Sequence, residues 1–185
     1  MKHFKLTDEV LDLGSVKLRR IEALIDLPKH GIKKGDKGGW IEREAQVSGN
    51  AWVSDNAQVY GDAQVSGDAH VYGDAQVYGN AWVSGDAQVY GNAQVYGDAR
   101  VSNNAQVSGD AHIDCAGAIL CIAIGGFYTI TLTRKWLFAG CQSIERKKWL
   151  RITKKQAVEM GCKPELYAPL NEMVKAGMKI VKEKP

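Results

Sequence analysis

From Ile41 to His112 one pattern of six positions repeats without a break, 12 times over. The first position is Ile41 and then valine at every repeat from Val47 to Val107, and the fifth is alanine from Ala45 to Ala111. The third and fourth are mostly Gly-Asp or Gly-Asn, and the second and sixth are polar or aromatic. A lone aliphatic residue between two such neighbours reads as a very short strand, valine facing one way and its neighbours the other. Two architectures fit. In a meander, "AQVY" would be a strand and a glycine-led pair the hairpin turn; in a β-solenoid, each hexad would form one side of a three-sided coil. The second position decides. Serine at 48, 66, 84 and 102 and tyrosine at 60, 78 and 96 both recur every 18 residues, which is three hexads, whereas a meander repeats in twos. Twelve four-residue strands in one open sheet would also exceed ordinary sheet sizes.

The expected fold is therefore an all-β core, a triangular parallel β-solenoid of about four coils over residues 41–114. At about 4.8 Å per coil the shaft stands roughly 19 Å tall, and its open ends need caps. Residues 1–40 supply an N-terminal cap, with Trp40 beside Ile41 placed to cover the lower end. Residues 115–141 form the capping strands: Cys115 to Thr133 is apolar and rich in β-branched side chains, which predicts two or three strands closing the top of the shaft, with "LFAGC" pairing with them across a turn at Arg134 and Lys135. Residues 142–185 form a basic, mainly helical module. There Thr153 and Gln156 read as a capping box for a short helix, "KKQAVEMG", and a second helix is expected from about Pro164 to Ala176. Valine points into the shaft and alanine fits inside each corner. The Asp and Asn that follow glycine suit left-handed corner conformations.

The hexad resembles the hexapeptide repeat of left-handed parallel β-helix proteins, and the left hand is what that resemblance implies. The opening "RIEALIDL", then "KKGDKGGWIE", then hexads, is similar to the start of hexapeptide-repeat proteins found in phages, prophages and bacteria, across Arg20 to His112. "IGGFYTITLTRKWLFAGC" resembles their downstream segment more loosely. That group is described mainly by its repeat. Its phage association implies a host protein or a small signalling molecule as the partner to be captured or blocked.

Charge is segregated. Residues 1–40 carry a net +3, 41–133 carry −8 and 134–185 carry +8, so the acidic shaft and the basic tail suit different partners. No run of apolar residues long enough for a membrane helix occurs, and "MKHFKLTDEVLD" lacks a signal-peptide core, which points to the cytoplasm, or the host cytoplasm for a phage protein. Cys115, Cys121, Cys141 and Cys162 form no CxxC pair, so reduced thiols are expected and no metal site. No cofactor is expected. "GDKGG" lacks the strand, helix and Lys-Ser pair of a phosphate loop, and the calcium-binding nonapeptide has a different period from these corners.

Stacking the coils turns outward positions into rows. The first face carries Gln58, Tyr60, Gln76, Tyr78, Gln94 and Tyr96, the interface candidates. The second carries Trp52, His70, Tyr72 and Tyr90, with Ser54, Gln88, Gln106 and Ser108. The third, with Gln46, Gln64, Trp82 and Arg100 beside a serine row, is the most polar. Many hexapeptide-repeat proteins are acyltransferases that take an acyl-CoA donor and use a histidine base. Here His70 and His112 are the candidates, on different faces and with no inserted loop to build a pocket. The favoured reading is non-catalytic: a rigid, trimeric post that presents flat ladders and a basic module to a partner. A purely structural spacer is the rival. The patch Arg146, Lys147, Lys148, Arg151, Lys154 and Lys155 surrounds Trp149, but nucleic acid is not the expected partner, because Trp149, Leu150 and Ile152 serve equally well as the apolar edge of a packed element. Nor should the shaft imitate DNA, since asparagine interrupts its corner carboxylates.

Overall fold

The computed structural model describes residues 2–114, 120–124, 128–132, 136–139, 142–149, 151–159, 167–168, 171–172 and 175. The chain begins with an antiparallel hairpin, β1 (Phe4–Asp12) and β2 (Lys17–Ala23), followed by β3 (Lys37–Ile41). Eleven two-residue strands then run up the shaft: β4 (Trp52–Val53), β5 (Gln58–Val59), β6 (Gln64–Val65), β7 (His70–Val71), β8 (Gln76–Val77), β9 (Trp82–Val83), β10 (Gln88–Val89), β11 (Gln94–Val95), β12 (Arg100–Val101), β13 (Gln106–Val107) and β14 (His112–Ile113). They sort into three parallel faces. The first is β3-β5-β8-β11-β14, the second β4-β7-β10-β13 and the third β6-β9-β12. In each, a residue pairs with the one 18 positions on, as Gln58 does with Gln76 and Val59 with Val77. The molecule is a parallel β-solenoid of about four coils.

Two or three backbone hydrogen bonds tie a hexad of the shaft to the next coil. In the coil below the first-face tyrosines, Asn56 N donates to Gly73 O, Gln58 N to Ala75 O and Tyr60 N to Val77 O, at 2.9 to 3.1 Å. The first-position valines from Val53 to Val107 and the fifth-position alanines from Ala51 to Ala111 are all fully buried, so the shaft is a solid column of small side chains. At the corners the left-handed residue is the third, not the Asp or Asn after it. Gly49, Gly61, Gly67, Gly73, Gly79, Gly85, Gly91, Gly97 and Gly109 have φ between 61° and 72°, and where the third residue is not glycine, Asp55 and Asn103 take its place at 56° and 58°. The reason is proximity as well as φ. A Cβ on Gly49 would lie 2.8 Å from Gly67 O, so only the residue that touches the next corner needs to lack one.

The lower end departs from the repeat. β1 and β2 extend the first face as an antiparallel hairpin, giving one sheet of seven strands. Trp40 does not cover the end of the shaft. It lies half-buried in the outer sixth-position row, paired with Gln58, and the Arg20 guanidinium sits 4.8 Å over its ring. Phe4, Leu18, Ile21, Ala23 and Leu27 are the buried apolar residues of the cap. The first hexad is irregular as well: Glu44–Gln46 forms a 3-10 turn that leaves Ala45 exposed. Gln46 is buried, its Oε1 accepting from Glu42 N and Arg43 N and its Nε2 donating to Gly61 O, so it leaves the third-face row.

Beyond the shaft runs an antiparallel sheet, β15 (Leu120–Ile124), β16 (Tyr128–Leu132), β17 (Trp136–Ala139) and β18 (Gln142–Glu145); β15 and β16 lie in the stretch expected to form closing strands and β17, with Leu137–Ala139, pairs with β16 as expected, whereas β18 is a strand at the start of the module expected to be mainly helical. β16 lies beside β13 of the second face. The expected turn residues Arg134 and Lys135 fall outside the described residues, as do Cys115, Cys141 and Cys162; Cys121 lies in β15. Two short helices follow, α1 (Arg146–Trp149) and α2 (Lys154–Glu159). The capping box forms as expected, Thr153 N donating to Gln156 Oε1 at 2.8 Å and Gln156 N to Thr153 Oγ1 at 3.3 Å. Of the second expected helix, Tyr167, Ala168, Asn171, Glu172 and Lys175 are described and are helical.

Candidate interaction surfaces on the solenoid

On the first face, coil register places one tyrosine over the next. The Tyr60 and Tyr78 rings stack with centroids 5.1 Å apart at 2°, and Tyr78 and Tyr96 at 5.1 Å and 6°. Each such pair contributes about 0.5–1.5 kcal/mol beyond its buried area. The stack also decides what the face can offer. Ring faces within the stack are spent on each other, so outward it shows ring edges and hydroxyls rather than platforms for bases or sugars. Burial, and then the neighbouring tyrosine, pushes the Tyr60 and Tyr78 hydroxyls above their ordinary pKa, keeping them neutral donors. Tyr78 donates to Gln94 Oε1 of the next coil at 3.4 Å, so glutamine and tyrosine rows are cross-linked. The six first-face candidates, Gln58, Tyr60, Gln76, Tyr78, Gln94 and Tyr96, are brought together in register and are all half-buried.

The second face is not one continuous surface. Tyr72 and Tyr90 stack at 4.9 Å and 5°, and Tyr72 donates to Gln88 Oε1. Trp52, one coil below His70, is not available there: it is fully buried, because the N-terminal segment folds over it and brings His3 to 6.5 Å from its indole. His3 is itself held by a 2.8 Å bond to Ala51 O. His70 is covered in turn by His30, from the 3-10 turn Pro28–His30, with ring centroids 4.8 Å apart. His70 Nε2 meets Ser54 Oγ at 2.8 Å. Desolvation, then the neighbouring His30, depresses the His70 pKa to about 4, so the ring is neutral near pH 7 and a weak base. His112, the other histidine candidate, stands exposed on the first face.

The third face holds Trp82, 46 % exposed, with Arg100 5.6 Å over its ring and Ser66 Oγ 3.2 Å from its indole nitrogen. Along the corners, fourth-position amides and carboxylates alternate. Asn56 donates to Asp74, Asn80 to Asp98 and Asn92 to Asp110, each across one coil. Where Asp68 and Asp86 adjoin without an intervening amide, Lys29 from the cap bridges both. Half the corner charge of a phosphate-like row is thus replaced by amides. In the C-terminal module, Lys148, Arg151, Lys154 and Lys155 are exposed, while Arg146 and Lys147 lie in α1 with side chains outside the described residues. Trp149 is buried, 6.2 Å from the Tyr167 ring, whose hydroxyl donates to Ile152 O. It is a packing residue and offers no ring for stacking on bases.

Residues 45–61, 75–91 and 93–109 match the family model of the YdcK beta-solenoid repeat. This is a β-solenoid repeat protein. No curated protein matches the chain. The three matched segments together contain all six first-face candidates as well as Tyr90, so the surface described above belongs to the repeat itself rather than to the caps. Among the described residues no group of three or more His, Cys, Asp or Glu side chains is placed to hold a metal ion, and no helix is long and apolar enough to cross a membrane. Sequence reasoning missed His30, which no repeat marks and which lies 40 positions from His70; "PKHG" marks a proline-led turn but not where that turn lands.

Proposed function

We propose that the chain is a non-catalytic binding and scaffold protein: a rigid post that associates with further copies of itself, as a trimer, through the first face. The observation that carries this reading is the half-exposed stack of Tyr60, Tyr78 and Tyr96 in register on a seven-stranded sheet. Tyrosine combines apolar area with a hydroxyl that tolerates water, and a row of it on a flat surface is suited to association. The resemblance to phage-borne hexapeptide-repeat proteins adds a host protein or a small signalling ligand as the partner that the assembled post would capture or inhibit, in the cytoplasm. The acyltransferase alternative is weakened by the setting of His70, whose Nε2 is engaged by Ser54 and whose ring lies against His30.

Tyr78→Glu tests the reading. It places a charge at the centre of the stack while leaving Val77 and the interior unchanged. Light scattering over a range of concentrations should give a trimer mass for the wild type and a smaller mass for the variant, with unchanged far-ultraviolet dichroism. A wild-type monomer, or an unchanged mass in the variant, would leave the stack as internal support for the solenoid alone.

A further inference from the structure

The cap touches the second face at one compact place, and that place is rich in titratable groups. The segment from Leu24 to Asp36 leaves β2, makes the Pro28–His30 turn and returns to β3. Inside it Leu27 N donates to Ile32 O and Gly31 N to Pro28 O, which close it into a small loop. Lys29 reaches Asp68 and Asp86, His30 Nε2 bonds Asn50 O at 2.9 Å, and the His30 ring lies on His70. Below, the cap's N-terminal strand buries Trp52, whose indole N–H has no hydrogen-bond partner among the described residues.

We propose that residues 24–36 form a latch that is closed over the second face at neutral pH and opens on mild acidification, as His30 and His70, packed ring against ring and partly shielded from water, take up protons. The proposal is independent of the association reading above. Two neutral imidazoles pack well at this distance; two imidazolium rings out of full contact with water repel. The groups that face His70 are His30, Asp55, Ser54 and Tyr72, and those that face His30 are His70, Asp68, Lys29 and His3. Asp55 and Asp68 favour protonation, whereas burial dominates both rings and holds both below the ordinary histidine range. The sign follows. A histidine whose pKa is lower in the closed form contributes stability that is complete above its ordinary value of 6.5 and is lost as pH falls toward about 4. The ion pairs of Lys29 do not share this dependence. Its own pKa is raised and that of Asp68 lowered, chiefly by their mutual bond, so both stay charged through the window. The histidine contacts, rather than the Lys29 ion pairs, carry the pH dependence, and opening would extend the exposed second face from Tyr90 and Tyr72 down over His70.

Amide hydrogen exchange followed by mass spectrometry, corrected for intrinsic rates, tests this on the full chain. Between pH 7 and pH 4.5, peptides within 24–36 should lose about tenfold in protection while peptides within 58–101 keep theirs. His30→Gln retains an amide donor for Asn50 O but cannot take up the charge, and should abolish most of that pH dependence. If His30→Gln leaves the segment unprotected already at pH 7, the decision passes to His70→Gln, which keeps the His30 bond and should likewise flatten the profile. Unchanged wild-type protection of 24–36 down to pH 4.5, equal loss in the shaft, or a pH dependence that survives in the deciding variant would overturn the latch.

Discussion

Substituting Gly79 by alanine tests whether the corners are limited by backbone conformation alone or also by the approach of neighbouring coils. Gly79 has φ +69°, and a Cβ there would lie 2.9 Å from Gly97 N and 3.4 Å from Gly97 Cα. The left-handed conformation costs alanine about 1–2 kcal/mol, and forcing adjacent coils apart costs about 1–3 more. Stiffening of the unfolded chain returns about 0.4–1, leaving a net loss of about 1–5 kcal/mol, centred near 3. For a chain of this size each kcal/mol corresponds to about 2–4 °C, so the melting temperature should fall by roughly 6–12 °C for a loss of about 3. Gly14→Ala is the control. Its φ is +83°, yet nothing lies within 4 Å of its Cβ, so the conformational cost and the gain from the unfolded chain nearly cancel, at about 1 kcal/mol or less. Gly79→Asn should fall between the two. Asp55 and Asn103 already occupy the same corner position elsewhere, and Asp55 Oδ2 accepts from Gly73 N of the next coil at 3.0 Å, a bond an asparagine oxygen can copy. Urea unfolding followed by circular dichroism would rank the three variants. If Gly79→Ala costs no more than Gly14→Ala, close approach plays no part and the corner argument is wrong.

Two further substitutions probe the shaft and its edges. Val77→Ala, in the fully buried first-position column, should cost about 1.5–3 kcal/mol in the same urea assay, from lost apolar burial plus a cavity that the stacked coils cannot collapse; a loss below about 0.5 would mean that the interior is not close-packed. Asn92→Asp removes the 3.0 Å donor to Asp110 and places carboxylates at 74, 92 and 110 in succession, so it should cost about 1 kcal/mol at low salt and less as salt rises. A salt-independent loss would show that the amide donor matters and the like charges do not.

The three-sided coil was readable because a single repeat of small residues leaves few alternatives: valine at every first position after Ile41 and tyrosine every 18 residues already imply parallel strands in register. The left-handed corner residue was misassigned to Asp and Asn, since their tolerance of that conformation is a local property, whereas the close approach of Gly49 to Gly67 exists only between coils. Trp52 and Gln46 kept the phase of the repeat and still left their faces. No coil lies below them, so the groups that bury them, His3 over Trp52 and the backbone of Glu42 and Arg43 around Gln46, come from outside the pattern. His30 against His70 could not be read for the same reason: once a segment lies outside the period, periodicity says nothing about where it lands.

The alternating corners constrain how such a rod can change length. Asp62, Asn80 and Asp98 form one edge, and Asn56, Asp74, Asn92 and Asp110 another, with amide and carboxylate taking turns at each step of 18 residues. Duplicating or deleting a single coil within either edge would leave strands, valines and glycines in phase and yet set carboxylate against carboxylate, or amide against amide, at the join. A duplication of two coils restores the alternation on every edge that has it. Selection on these edges would therefore favour lengthening by pairs of coils, and a single-coil graft would need an added cation of the kind Lys29 supplies where Asp68 meets Asp86.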